Sequence, residues 1–214
     1  MKTAVYTVLA LTVASLGIGC SNLDRSRDLG DPKVPAKTLA LQVCSNCHGV
    51  DGNSVSPNFP KLAGQQEDYI VAQLTYFRSH NRADPAGFEY MWGISKKLTD
   101  EQIKGLATYF SQQKAVPNVA GDPTIAARGK AIFETGIPDE GVAACSGCHG
   151  EAALGNGTFP RLADQHANYM IKQLHILKET DQRPAGAMMK PLIHGLMPAD
   201  LVAVTTYLQG ISSR

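Results

Sequence analysis

Two copies of one five-residue pattern constrain this chain more than anything else in it. Cys44-Ser45-Asn46-Cys47-His48 is the first, and Cys145-Ser146-Gly147-Cys148-His149 is the second. Residues three apart on a helical turn have neighbouring side chains. Each pair of thiols can therefore face one flat ring and add to two vinyl groups on its edge. The histidine follows at once and can swing beneath that ring to ligate a central iron. Cys-x-x-Cys-His reads as a c-type haem attachment site, and two copies imply two covalent haems c. A redox disulfide would sit in a βαβ pattern, which is not visible here. A zinc site would need a second cysteine pair close by.

Composition agrees with a folded carrier of such groups. Over 214 residues, 43% are hydrophobic and 18% charged, which describes a globular chain. The length admits one or two domains. Net charge is +1, and loss of Lys2 with a leader brings it to 0. No basic run or stripe appears, so nucleic acid is not an expected partner.

The first twenty residues read as an export leader. Lys2 gives a positive start, Ala4 to Ile18 is largely apolar, and Gly19-Cys20-Ser21 follows. Cys20 is the fifth cysteine and stands outside both motifs. Its place after a small residue resembles a bacterial lipoprotein cleavage box, with Gly17 where leucine is commonest. The reading is a signal over 1–20 with Cys20 lipidated, against an ordinary signal cut nearby. Either way the mature protein is expected outside the cytoplasm, in the periplasm, with a lipid anchor to a membrane face on the first reading. Beyond the leader no apolar run is long enough to span a bilayer.

The rest of the chain reads as two similar helical halves. Residues 21–35 carry charges, Gly30, Pro32 and Pro35, and are expected to be a flexible tether. Domain 1 is then 36–116, a Pro- and Gly-containing linker 117–123, and domain 2 124–214. In domain 1, Gln65 to Asn81 is amphipathic with helical period, and Arg82 to Tyr90, with Pro85 and Gly87, reads as a loop. Thr99-Asp100-Glu101-Gln102 is a capping box opening the last helix. Phe59-Pro60-Lys61-Leu62-Ala63 is answered by Phe159-Pro160-Arg161-Leu162-Ala163, Tyr69 by Tyr169, and Gln73-Leu74 by Gln173-Leu174. The offset falls from 101 at the first cysteines to 100 at the phenylalanines and 98 at Tyr109 and Tyr207. Domain 2 carries an inserted loop, Gly136 to Gly141, before its motif. Each half has about three short helices, too little apolar surface for an ordinary core. A covalent haem would supply the missing apolar mass.

His48 and His149 are the expected proximal ligands, and cytochromes c place a methionine opposite. Mature domain 1 has a single methionine, Met91. Domain 2 offers Met170, Met188, Met189 and Met197. Met91 lies seven before Leu98 and Met189 seven before Leu196, so the repeat favours Met189 over Met188. His80, and in domain 2 His166, His175 and His194, are the alternatives for bis-histidine ligation.

The full pattern resembles the cytochrome c4 family, two-domain dihaem electron carriers of bacteria. The carrying residues are Cys44-x-x-Cys47-His48-Gly49, Asp51-Gly52-Asn53, Phe59 to Gln65, Tyr69, Gln73-Leu74 and Met91. In the second half they are Gly141 to Cys145, Cys148-His149-Gly150, Gly155-Asn156, Phe159-Pro160, Tyr169, Gln173-Leu174 and Met189. Asp164 stands where the family usually has glycine. The resemblance implies an all-α chain of two tandem class I cytochrome c domains, each wrapped around one haem. It implies Cys44, Cys47, Cys145 and Cys148 as attachment points, and His48, Met91, His149 and Met189 as iron ligands. The carbonyls of Pro60 and Pro160 would accept the ring N–H of His48 and His149. The implied function is single-electron transfer between a membrane respiratory complex and a terminal oxidase or reductase, not catalysis. The alternatives are an electron-entry subunit of a periplasmic redox enzyme and a dihaem peroxidase.

Overall fold

The computed structural model describes residues 22–211. The leader, with Cys20, lies outside the described residues. In domain 1, α1 (Ala36–Leu39) runs through a π-helical turn (Ala40–Cys44) into α2 (Ser45–His48). Then come α3 (Glu67–Arg78), a second π-helical turn (Gly87–Met91), α4 (Trp92–Ser95) and α5 (Asp100–Ser111). Domain 2 has α6 (Pro123–Thr135), α7 (Ser146–His149), α8 (Ala167–Glu179), α9 (Met189–Ile193) and α10 (Pro198–Gln209). Among the described residues there is no β-strand, only isolated bridges at Ile137–Val142 and Asn156–Phe159. The fold is the expected all-α pair.

The two halves use the same packing plan. In domain 1, α5 lies against α1 and α3; in domain 2, α10 lies against α6 and α8. The apolar stripe of α5 puts Ile103, Leu106, Ala107 and Phe110 into a core with Leu39 and Ile70. In domain 2, Leu201, Val204 and Leu208 of α10 meet Ile132 and Phe133 of α6. Gly129 is where α6 crosses α10, because a Cβ there would overlap the Ala203 carbonyl. The capping box forms as the sequence indicates: Gln102 N donates to Thr99 Oγ1 at 3.1 Å, and Thr99 N donates to Gln102 Oε1 at 3.1 Å.

Two stretches differ from their sequence reading. The expected tether packs onto domain 1 from residue 22 onward. Val34 is buried, and Leu23 and Leu29 rest on the domain 1 core. Gln102 Nε2 donates to the carbonyls of Asp31 (3.1 Å) and Val34 (3.0 Å). Polar composition suggested a loose segment, but three spaced apolar residues and a buried glutamine hold it down. The loop read over Arg82 to Tyr90 is also partly helical, and its π-helical turn ends on Met91. Turns of this kind often sit at functional positions.

The domains dock through a near-symmetric polar interface. Arg82 donates to Gln73 Oε1 in its own domain (2.7 Å) and to Gln173 Oε1 across the boundary (3.1 Å). Arg183 answers from domain 2, donating to Gln173, to Gln73 (3.1 Å) and to Tyr69 Oη (3.3 Å). The start of the linker is pinned to both domains: Lys61 Nζ donates to the Val116 carbonyl (2.6 Å) and Asn118 Nδ2 to the Asp164 carbonyl (2.7 Å).

Candidate haem sites

One apolar cavity of about 1450 Å³ runs through both domains, and both motifs line it. That exceeds the roughly 300–1,000 Å³ of a typical ligand pocket. It is room that helices this short cannot fill with side chains. Cys44, Cys47 and His48 line one part, and Cys145, Cys148 and His149 the other.

The local backbone explains how the motif residues are aimed. Cys44 caps α2 and Cys145 caps α7, so each thiol pair straddles one helical turn. Gly49 (φ +81°) and Gly150 (φ +79°) then stop the turn in a conformation that suits glycine. No disulfide joins these four cysteines. Burial pushes the Cys44 thiol up to about 12 and the Cys145 thiol up to about 11. Both thiol pairs line the apolar cavity, which suits thioether formation with an apolar ring.

The histidines are held alike. His48 Nδ1 donates to the Pro60 carbonyl and His149 Nδ1 to the Pro160 carbonyl, each at 2.9 Å. Burial holds both rings below the usual histidine value, outweighing the carbonyl bond that raises it. A neutral imidazole that donates through Nδ1 keeps its Nε2 lone pair for a metal. Phe59 and Phe159 stand edge-on to these rings at 6.3 and 6.4 Å. The donor set therefore fits a haem iron in each domain.

Met91, Met170, Met188 and Met189 all line the cavity. Met189 packs on the domain 2 core, whereas Met188 is 55% exposed. Met170 is buried in α8, and Met197 caps α10 at the surface. Among the alternative histidines, His80 stacks on Trp92 at 4.2 Å. His166 bonds the Ser54 carbonyl, and His194 bonds the Pro191 carbonyl. Only His175 of these lines the cavity, and it pairs with Glu179 at 2.9 Å.

Sequence reasoning gave no role to Arg82 and Arg183, which also line the cavity where the domains meet. Arg82 is buried and ion-paired to the buried Asp84 at 2.9 Å. Both guanidiniums stay charged; Arg82 pairs with Asp84 whereas Arg183 bonds the neutral Gln173, Gln73 and Tyr69, and the surplus positive charge suits an anionic group. The available signal was the repetition of Tyr69, Gln73, Tyr169 and Gln173, polar residues at matching places on two amphipathic helices. Asp164 takes φ +62°, beside Gly64 at +66°, so the repeat keeps its backbone turn where the residue changes. Asp tolerates this region better than most residues, and its carboxylate pairs with Arg161 at 2.6 Å.

Comparison with known proteins agrees with this geometry. The cytochrome c family model matches residues 34–114 and again 126–212. The chain is 40% identical over 188 residues to cytochrome c4 of Thiocapsa roseopersicina, covering 86% of this chain and 94% of that one. It is similar in structure to reduced recombinant cytochrome c4 from Pseudomonas stutzeri (TM-score 0.74, 38% identity), covering 86% of this chain and 100% of that one. It is also 36% identical over 151 residues to a thiosulfate dehydrogenase electron acceptor of Thiomonas intermedia, covering 68% of each.

Proposed function

The chain belongs to the cytochrome c4 family, a dihaem electron-transfer cytochrome with two covalent haems c, and on that premise we propose how its residues do the work. Cys44 and Cys47 attach one haem, and Cys145 and Cys148 the other. His48 with Met91, and His149 with Met189, would supply the iron-ligating atoms. Each bound haem supplies a one-electron iron couple. The thioether, a soft neutral ligand, favours the reduced iron. The proline carbonyls fix ring orientation and ligand basicity. Arg82 and Arg183, with Tyr69 and Tyr169 beside them, receive the carboxylates of the bound groups at the domain boundary.

The observation that carries this reading is the paired histidine geometry: the same 2.9 Å bond from Nδ1 to a proline carbonyl, at the head of each half of one apolar cavity. The test is an optical redox titration of the purified holoprotein with a pyridine haemochrome assay. Two haems per chain, resistant to acid-acetone extraction, are expected. One haem, or extractable haem, refutes the reading.

In this reading the protein is a carrier and not a catalyst. It works in the periplasm, held to a membrane by lipid on Cys20, between a respiratory complex and a terminal oxidase or reductase. Among the described residues no helix is long and apolar enough to cross a membrane. The likeness to a thiosulfate dehydrogenase electron acceptor favours a second reading, an electron-entry partner of a periplasmic dehydrogenase. Stopped-flow reduction by such a dehydrogenase, set against reduction by a quinol-oxidising complex, separates the two. A peroxidase would need an open iron position. Carbon monoxide uptake by the reduced protein tests for one, and poor uptake is expected.

A further inference from the structure

Gln65 and Gln165 cross the domain boundary in mirror fashion. Gln165 Oε1 accepts from the Lys61 backbone N–H and Gln165 Nε2 donates to the Lys61 carbonyl, both at 2.9 Å. Gln65 Oε1 accepts from the Arg161 N–H at 2.7 Å, and Gln65 Nε2 donates to the Arg161 carbonyl at 3.0 Å. Each Oε1 also accepts from the next residue's own N–H, His166 at 3.0 Å and Gln66 at 2.9 Å. Two backbone donors on one amide oxygen settle which way each amide faces. Both glutamines are buried.

The bonded peptide units are the ones that hold the histidines. The Lys61 N–H belongs to the same planar amide as the Pro60 carbonyl, which accepts from His48. The Arg161 N–H shares its amide with the Pro160 carbonyl, which accepts from His149. An amide that is bonded at N–H is a better acceptor at its oxygen, because the resonant unit polarises as a whole. Such cooperative strengthening is roughly 10–30% per bond, and a dry site keeps it unscreened. A stronger bond at Nδ1 makes the imidazole a more basic ligand.

We propose that Gln65 and Gln165 are positioning residues that tune the iron ligand of the opposite domain: Gln165 acts on His48 through the Pro60–Lys61 peptide, and Gln65 acts on His149 through the Pro160–Arg161 peptide. The inference rests on His48 and His149 being the proximal ligands. Its consequence is that neither haem site is complete within its own domain. Docking of the two halves sets both potentials, and loosening it raises both.

A role in docking alone makes a different forecast, so the two can be separated. The holoprotein is labelled with 15N-histidine and studied reduced, where the two ligated Nδ1–H resonances are resolved. Gln165→Leu is expected to move the His48 resonance upfield and leave that of His149 in place; Gln65→Leu does the reverse. In a redox titration each variant raises the potential of the opposite domain's haem. The expected change is about twofold in the oxidised-to-reduced ratio, or ~18 mV at ~59 mV per tenfold. A shift confined to the variant's own domain, shared by both histidines, or absent overturns the coupling. If a leucine variant separates the domains, Gln165→Glu decides. It keeps the acceptor with added charge, so the His48 resonance moves downfield. Movement in the same direction as the leucine variant, or none, overturns the proposal. A wild-type spectrum without two ligated-imidazole resonances refutes the ligand assignment itself.

Discussion

At the scale of single residues, the methionines carry the clearest test. Met91 is the single methionine in mature domain 1 and lines the cavity. Met189 rests on the domain 2 core, while its neighbour Met188 is 55% exposed. Ligation by methionine gives ferric haem a weak charge-transfer band at the red end of the visible spectrum. Met91→Ala and Met189→Ala should each remove about half of that band and open one iron to carbon monoxide. Met188→Ala should leave the band intact. If Met188→Ala removes it instead, the register taken from Leu98 and Leu196 is off by one. If neither Met91 nor Met189 matters, a cavity-lining histidine such as His175 becomes the candidate in domain 2.

At the scale of elements, the last helix of each domain starts differently. In domain 1, Thr99 and Gln102 cap α5 reciprocally. Thr99→Ala should therefore cost about 1 kcal/mol, within the usual ~0.5–2 for a lost cap, read by denaturant unfolding of the holoprotein. In domain 2, Asp200 turns back to accept the Met197 N–H at 2.9 Å and pairs with Arg128. Burial pushes the Asp200 carboxyl up, but the Arg128 and Met197 bonds outweigh it and hold it below the usual value. The crossing of α6 on α10 depends on Gly129. Gly129→Ala gains up to ~1 kcal/mol of helix propensity, but it drives a methyl into the Ala203 carbonyl. Net destabilisation of roughly 1–3 kcal/mol is expected, as for other overpacked sites, with a lower Tm for domain 2. An unchanged Tm would mean that the helices can separate at no cost.

At the scale of the whole molecule, the domain interface should respond to pH. The His166 ring is buried against domain 1 and bonds the Ser54 carbonyl at 2.8 Å. Burial lowers its pKa from 6.5, the Ser54 bond opposes this, and the Lys61 ammonium lowers it further. The folded state therefore prefers the neutral ring. Its contribution is complete above pH 6.5 and is lost as pH falls below that value through the folded-state pKa. His166→Gln, which copies Gln66 of domain 1, should flatten the loss of stability as pH falls below 6.5. The same slope in the variant would exonerate this histidine. At the leader end, Cys20→Ser should move the protein from the membrane to the soluble periplasmic fraction. Unchanged fractionation would favour an ordinary signal peptide.

The sequence by itself determined what neighbours in the chain can specify. Two thiols and a histidine within five residues encode the attachment site. A Thr three residues before a Gln encodes a cap, and a spaced apolar stripe encodes a helix with one buried face. The repeat then implied two domains and favoured Met189 over Met188 as the proposed ligand. Tertiary structure alone decided what depends on distant partners. Residues 22–35 read as loose because their polar residues outnumber the anchors, yet Val34 finds a pocket and Gln102, 68 residues on, bonds its carbonyl. The crossed amides join residues 104 and 96 positions apart. A glutamine at the mouth of a helix has no local signature for which peptide it will meet. Only the docking of two halves, with their polar groups buried and needing partners, makes that choice.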